Sequence, residues 1–160
     1  MNERSTKPRF EMGPPLEFLR RLWRLNHALE RVSHRMERTL GLTAQQRFMV
    51  RCVGRFPGIA PGEVARALHL DPGTVSSTLR RLEEKGLVRR DKDPDDSRRT
   101  SLHLTARGRR FDAPTERTVE SSVQRMLDAT SAADISRVVT LLDRLAILLD
   151  EEAEFDEDLA

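Results

Sequence analysis

The sequence is poor in cysteine and in long apolar runs, and both shortages restrict what the protein can be. Cys52 is the one cysteine among 160 residues, so the chain forms neither an internal disulfide nor a thiolate metal cluster. No segment approaches the roughly 18 uncharged apolar residues that a membrane span needs. Residues 1–15 are polar and lack the apolar core of a secretory signal. We therefore expect a cytoplasmic protein that does not interact with membranes.

Charge is unevenly distributed along the chain, although the formal net charge is only +2. Residues 80–110 carry eleven basic and six acidic side chains, whereas residues 134–160 carry two basic and nine acidic ones. Arginine supplies 25 of the 28 cationic side chains. Its fixed fork of donors suits phosphate and guanine, although a biased genome composition would give the same excess. A basic centre followed by an acidic end favours a nucleic-acid-binding face.

Apolar side chains recur at helical spacing along most of the chain and predict six helices. Residues 16–40 form one long stripe, which Gly41 closes as a C-cap. Thr43 and Ser131 begin capping boxes, and Pro114 is expected to kink the fifth helix. Because only 38% of the residues are apolar, we expect the long helices to complete their burial against a second copy. The helices are predicted at about residues 16–40, 44–56, 61–68, 72–85, 106–129 and 132–149.

Two short alternating runs, at residues 87–90 and 100–104, flank a polar stretch and predict a β-hairpin. Two short helices that are joined by a tight turn and followed by a hairpin form a winged helix-turn-helix. The predicted fold class is therefore mainly α with a small β-hairpin wing. Long N- and C-terminal helices flank the winged part.

The fourth predicted helix carries the side chains that would read a DNA groove. Val75, Leu79 and Leu82 share one face of this helix and are expected to point inward. The other face is small and polar near its start and basic one turn later, an order that suits entry into the major groove. The alternative is an ordinary amphipathic helix with a polar outer face. The outward set is Gly73, Thr74, Ser76, Ser77, Arg80 and Arg81.

The predicted hairpin tip places Arg98 and Arg99 in a loop that is crowded with aspartates. Unbraced carboxylates would be repelled by a DNA backbone, so the mixture makes sense if one aspartate braces an arginine. A braced guanidinium at a hairpin tip has the right size to enter the minor groove, where the negative potential is strong. The alternative is a solvated surface turn.

Three segments of the sequence resemble the MarR family of bacterial transcriptional regulators: residues 42–47, 71–88 and 93–108. The wing signature is the most specific, because an Asp and Arg pair precedes Leu-Thr-x-x-Gly at a fixed distance. The resemblance extends over about residues 16–150. His69 departs from it where the helix-turn-helix turn often has glycine, and Ser97 departs from it where many members have arginine. A left-handed backbone is tolerated by histidine better than by most residues, so we expect the turn to form.

The resemblance implies a homodimer in which the first, fifth and sixth helices interlock and two winged domains read a pseudo-palindrome. It further implies that Arg98 is the minor-groove arginine with Asp96 as its brace, and that Thr74, Ser76, Ser77 and Arg80 contact bases and phosphates. The expected domains are a flexible N-terminus (1–15), a dimerisation region (16–41 and 106–150), a winged domain (42–105) and an acidic flexible tail (151–160).

The resembling architecture has a junction between its dimerisation and DNA-binding lobes that often holds a small aromatic or phenolic anion. An apolar set with one Arg or His would suit such a ligand, and the alternative for each residue is ordinary core or interface. The candidate lining residues are Trp23, His27, Phe48, Arg51, Phe111 and Met126.

Other candidate chemistry finds little support in the sequence. His27 and His34 are seven residues apart, about 10 Å along a helix, too far for one metal ion, so we expect no metal and no cofactor. Cys52 is expected to be a small buried hydrophobe rather than a redox sensor. The aspartates at residues 91–96 lack the spacing of an EF-hand loop, and no nucleophile or acid–base motif indicates an enzyme.

The sequence therefore predicts a regulator that binds duplex DNA at the nucleoid, acts as a homodimeric repressor and is released by a small aromatic ligand. Two alternatives stay open. One is a winged helix that binds proteins, and the other is an architectural DNA-binding protein without a ligand response.

Overall fold

The computed structural model describes residues 12–92 and 100–157, with only the backbone described for residues 154–157. The chain divides into two units at Val119. The first unit contains, in order, α1 (Gly13–Leu40), α2 (Ala44–Arg55), α3 (Pro61–Leu68), α4 (Pro72–Glu84), β1 (Val88–Lys92), β2 (Thr100–Leu104) and α5 (Ala106–Asp112). α6 (Val119–Asp128) begins at the boundary, and the second unit continues with α7 (Ala132–Glu157). The predicted class, mainly α with a small hairpin, is confirmed.

Side-chain and glycine caps set the ends of several helices where the sequence predicts them. Gly41 ends α1 with a left-handed φ of 72° and donates its N–H to the carbonyl of Glu37. Thr43 and Gln46 form the predicted capping box of α2, with Gln46 N donating to Thr43 Oγ1 at 3.2 Å. His69 ends α3 with φ 49° and ψ 47°. The helix-turn-helix turn is therefore made with histidine in the left-handed conformation, as expected.

The core of the first unit lies where α2, α3, α4 and the hairpin meet. β1 and β2 pair antiparallel, with Val88 opposite Leu104 and Arg90 opposite Leu102. Leu102 also exchanges backbone hydrogen bonds with the segment before α3, since its carbonyl accepts from Gly58 and its N–H donates to Ile59. The hairpin is thereby fixed to the helices. The buried core residues are Leu42, Met49, Val50, Val53, Val64, Ala65, Val75, Leu79, Leu82, Leu87, Val88 and Leu102.

The prediction of a single kinked helix at residues 106–129 is wrong, because this segment forms two separate helices, α5 and α6. Pro114 disfavours a helical backbone at the residue before it, and Ala113 is accordingly extended, with φ −63° and ψ 146°. The break is stabilised because the backbone carbonyls at the end of α5 accept hydrogen bonds from a side chain. The buried guanidinium of Arg47 donates to the carbonyls of Phe111 (2.7 Å) and Ala113 (2.9 Å).

Three predicted boundaries also differ from the structure. α1 begins at Gly13 rather than Leu16, since Pro14 and Pro15 are favourable in a first helical turn. α7 continues to Glu157, into the segment predicted as a flexible tail, because residues 150–157 contain neither glycine nor proline to end it. α5 belongs with the winged unit rather than with a separate helical region, since it packs against α2 and β2.

Long apolar surfaces remain exposed on the outer helices. Phe18, Leu25 and Leu29 on α1 are 40–53% exposed, and they lie on the side of the helix that buries Met36. On α7 the exposed apolar side chains are Val138, Val139, Leu141, Leu142, Ile147, Leu148 and Leu149. Among the residues described, no helix combines the length and the apolar character that crossing a membrane requires.

Candidate nucleic-acid interface

α4 is amphipathic, with its buried and exposed residues arranged as the sequence predicts except at Thr74, which was predicted to face outward. Val75, Leu79 and Leu82 are at most 1% exposed. Thr78 is buried as well and extends this inner face, and Thr74 is half-buried. The side chains presented to solvent on the opposite face are Ser76, Ser77, Arg80 and Arg81. Small hydroxyls therefore precede two guanidinium groups along an uncovered helix face.

The N-terminus of α4 already holds a carboxylate. Asp71 is the N-cap, and its Oδ1 accepts from the backbone N–H of Thr74 at 2.8 Å. Hydrogen bonds from the hydroxyl and the backbone N–H of Thr74 lower the pKa of Asp71, which keeps this cap ionised. Because a protein anion occupies this end, attraction of a phosphate to α4 depends on its side chains. Arg80 and Arg81 are the cations of the helix, and Arg80 Nε lies 3.9 Å from Glu84 Oε1 in an exposed ion pair.

An ion pair joins α4 to the hairpin. Arg90 Nε on β1 lies 3.0 Å from both carboxylate oxygens of Glu83 near the end of α4, and both side chains are about two-thirds buried. The pair fixes the angle between the helix and the base of the wing. Strand alternation is the sequence feature that indicates this ion pair, because it places Arg90 on the same face of β1 as the buried Val88. The prediction of site residues missed both partners.

The other face of the hairpin contains a second polar cluster. Arg89 and Asp91 form an ion pair on this face. His103, directly opposite Arg89 in the register, brings its Nε2 to 3.7 Å from Asp91 Oδ2. Asp91 is therefore engaged at the base of the wing. The predicted tip residues Asp96, Arg98 and Arg99 lie outside the described residues.

α5 supports the base of the hairpin by a close approach that requires glycine. Thr105 caps α5 by accepting from the N–H of Gly108 at 2.9 Å, and its hydroxyl donates to the carbonyl of Gly86 at 2.6 Å. A Cβ on Gly108 would lie 2.9 Å from the carbonyl carbon of Leu87 and closer still to its oxygen. The Leu-Thr-x-x-Gly motif thus fastens α5 directly to the start of β1.

Five of the six predicted ligand-lining residues lie in the first unit, on α1, α2 and α5. Trp23 and His27 line an open groove along α1 with Met12, Leu16, Arg20, Arg24 and Arg31. Phe48 and Arg51 are on α2, and Phe111 on α5 packs partly against the core. Arg51 Nη1 lies 2.9 Å from Asp112 Oδ1 in an ion pair whose two side chains are partly exposed. Met126 lies on α6 in the second unit and is 55% exposed.

Cys52 is only 7% exposed. Its burial raises the pKa of the thiol, which disfavours the reactive thiolate. Its position on the inner side of α2 matches the expectation of a small buried hydrophobe. Among the side chains described, those of residues 12–92 and 100–153, no group of three or more His, Cys, Asp or Glu is arranged to hold a metal ion.

Together, the helix-turn-helix, the exposed polar face of α4 and the attached hairpin define a winged helix-turn-helix protein. Residues 42–100 match the model of the MarR family. Over 106 residues the chain is 30% identical to an HTH-type transcriptional repressor of Mycobacterium tuberculosis. This alignment covers 66% of this chain and 76% of that protein. Over 107 residues it is 33% identical to a protein of Thauera aromatica that is named as a transcriptional regulatory protein for the hcr operon. That match spans 67% of this chain but only 64% of the Thauera protein.

Solved structures have the same fold. The transcriptional regulator SlyA is similar with a TM-score of 0.70 and 27% identity, over 86% of this chain and 97% of SlyA. FabT of Streptococcus pneumoniae, solved in complex with DNA, has a TM-score of 0.61 and 26% identity over 84% of this chain and 94% of FabT. PcaV of Streptomyces coelicolor, solved with its natural ligand, has a TM-score of 0.64 and 27% identity over 82% of this chain and 91% of PcaV. The chain belongs to the MarR family of transcriptional regulators.

Proposed function

We propose that the protein is a homodimeric repressor that reads duplex DNA with α4 and grips the adjacent backbone with the wing. The observation that carries this proposal is the exposed face of α4, where Ser76 and Ser77 precede Arg80 and Arg81. This order places short hydrogen-bonding groups near the base edges and longer cations near phosphates. FabT, a similar structure, is solved with DNA, which supports the same use of the fold here. Binding to chromosomal DNA would place the protein at the nucleoid.

The dimer is proposed from the apolar surfaces that one chain leaves in water. α7 has exposed apolar side chains on several sides, including Val138, Leu142 and Ile147, and a helix with this pattern is stable when other helices surround it. The exposed apolar stripe of α1 adds to this surface. Patches of this kind mark interaction sites. A second copy supplies matching surface, and two wings then meet two half-sites.

Repression is proposed because a relative that is 30% identical is named a transcriptional repressor. A protein bound across a promoter blocks transcription by occupancy, and a ligand that favours another arrangement of the wings would release it. PcaV is solved with a natural ligand, which supports a ligand response in this fold. We propose a small aromatic anion as this ligand, contacted in the first unit by the predicted lining residues Trp23, His27, Phe48, Arg51 and Phe111.

The DNA-reading proposal is tested by a salt series on a fluorescent duplex. The logarithm of the binding constant should fall linearly with the logarithm of salt concentration. Replacing both Arg80 and Arg81 by alanine removes four arginines from the dimer and should reduce the magnitude of that slope by about 4, one for each phosphate that is no longer neutralised. The matched control removes Arg125 and Arg137, two exposed arginines of the second unit, and should leave the slope unchanged. Equal slopes for both double variants would contradict the proposed role of α4.

The ligand proposal is tested with a panel of aromatic acids. A binding acid should raise the thermal midpoint of the protein and weaken its affinity for DNA. Arg51→Ala should abolish the shift in both measurements, whereas Arg125→Ala should retain it. If no acid in the panel changes either quantity, the ligand response is contradicted while DNA binding stands.

A further inference from the structure

Arginine and histidine side chains repeat along one face of α1 with a spacing of four and three residues, and the four arginines make this face cationic. The members of this set, which we name the cationic stripe, are Arg20, Arg24, His27, Arg31, His34 and Arg38. Alternating steps of four and three keep a set of residues on one side of a helix, and all six are exposed. From its first to its last member the stripe is about 27 Å long.

The stripe lies on the opposite side of α1 from the apolar surface. Successive residues are about 100° apart on a helix, which places Arg24 and Arg31 far around the axis from Leu25 and the buried Met36. Trp23 lies beside the stripe and is 63% exposed. A partner that covers only the apolar side would leave this aromatic and cationic face in water. We therefore expect the stripe to contact a second, negatively charged surface.

Two members of the stripe have acidic partners among the described side chains. Arg20 pairs with Glu17 at 2.6 Å, and His27 lies 3.5 Å from Glu30. Among the side chains that the structure describes, no carboxylate lies within 4.0 Å of Arg24, Arg31 or Arg38. Cations that are aligned at this spacing repel one another when no anion lies between them. Their alignment favours an anionic partner.

The chain itself contains such an anion. Residues 134–160 carry nine acidic and two basic side chains. Asp143, Asp150, Glu151 and Glu152 on α7 are exposed, and none of them has an ion-pair partner among the described side chains. Asp143 and Asp150 are seven residues apart, so they share one face of α7. We name these four residues the acidic end of α7.

We propose that the cationic stripe of α1 binds the acidic end of α7 of a second copy of this chain. This contact rests on the proposed dimer and deepens it by naming the charges that select the partner. Opposite charges set the partner and the register of paired helices. The exposed apolar residues of α7 lie beside its acidic end, so one docking event buries apolar surface and pairs charge at the same time.

A charge-exchange experiment tests the contact. The first variant carries Arg24→Glu, Arg31→Glu and Arg38→Glu, and the second carries lysine in place of the acidic end of α7. Each variant alone should dimerise at least about tenfold less tightly than wild type, since several pairs become repulsive. In an equal mixture every stripe meets an end of opposite charge. Native mass spectrometry should then find heterodimer well above the half expected from random pairing, and about 1 M salt should remove the preference.

A control with the same charge change isolates the stripe. It carries glutamate at Arg66, Arg107 and Arg110, exposed arginines of α3 and α5, and should dimerise like wild type and show no preference for the second variant. Emission from Trp23, the one tryptophan, gives a second readout. It should shift to the blue on dimerisation of wild type and remain red-shifted in the first variant alone.

The remaining outcomes separate this contact from the proposed dimer. A monomeric wild type by sedimentation would contradict the dimer itself. A dimeric wild type whose two variants pair at random would overturn the stripe contact alone. Random pairing, together with recovery of wild-type dimer affinity when both sets of changes are placed in one chain, would indicate that the stripe binds the acidic end of α7 of its own chain. If both variants dimerise as tightly as wild type and only the first variant loses affinity for DNA, the stripe binds nucleic acid instead.

Discussion

Gly108→Ala should destabilise the winged unit strongly, because the new methyl group would meet backbone rather than a movable side chain. Its Cβ would lie 2.9 Å from the carbonyl carbon of Leu87 and 3.3 Å from the Cα of Leu87, where ordinary contacts are at about 3.5–4.0 Å. Leu87 cannot retreat easily, since its carbonyl accepts from the N–H of Thr105 at 3.0 Å. Overpacking of this kind typically costs about 1–3 kcal/mol, and a backbone clash lies at the upper end.

The assay is thermal or urea unfolding at one fixed protein concentration, since dimerisation would make the midpoint concentration-dependent. A loss of about 3 kcal/mol corresponds to a Tm lower by about 6–12 °C for a chain of this size. The matched control is Gly62→Ala in α3, where nothing lies within 4 Å of the added Cβ. There the substitution should be neutral or stabilising by up to about 1 kcal/mol. A Tm for Gly108→Ala equal to that of the Gly62 control would refute the close packing of α5 on β1.

Three further predictions concern the cap of α4, the DNA contacts and the α2–α5 contact. Asp71→Asn should lower the Tm above about pH 4, and its difference from wild type should vanish as the pH falls through the lowered folded pKa of Asp71, because the ionic contribution is complete only above the ordinary value of 3.8. Asp71→Ala, which also removes the acceptor, is the control and should keep a lower Tm in acid; a difference between Asp71→Asn and wild type that persists in acid would contradict the titration. Arg98→Ala should weaken binding to all duplexes alike, whereas Ser76→Ala should change base preference by about 1–3 kcal/mol at one position, measured by competition binding; an unchanged affinity of the Arg98 variant would refute its role in the wing. Gly54→Ala should displace the carboxylate of Asp112, which lies 2.9 Å or less from the added Cβ, and so reproduce the loss of the ion pair caused by Asp112→Asn; unfolding curves that differ between the two would contradict this.

Local spacing was sufficient for those parts of the fold that local chemistry determines. The cap at Thr43, the left-handed Gly41 and the left-handed His69 each depend on a residue and its near neighbours. The inner face of α4 follows from helical periodicity, and the hairpin follows from strand alternation. The outward face of α4 was therefore predictable as well, although its contacts with bases are still a prediction.

Contacts between distant residues were not predictable from spacing. Pro114 indicates a kink, but the full break between α5 and α6 depends on Arg47, which is more than 60 residues away in sequence. Residues 16–40 were predicted to form one apolar stripe, whereas the structure places Trp23 beside the exposed arginines of α1. Apolar residues at successive positions of α1 allow two stripes, and only the packing of Met36 selects between them. The Glu83–Arg90 pair likewise needs the fold to bring its partners together.

Selection of bound duplexes from a random library at about 150 mM salt, a physiological ionic strength, tests the central claim most directly. A dimer that reads DNA with two copies of α4 should enrich an inverted repeat with half-sites about 10 bp apart. The variant lacking Arg80 and Arg81 should enrich that repeat less or not at all. Strong, salt-sensitive binding without an enriched sequence would indicate an architectural protein, and no binding at all would indicate a winged helix that binds proteins. Either of these results would contradict a sequence-specific repressor.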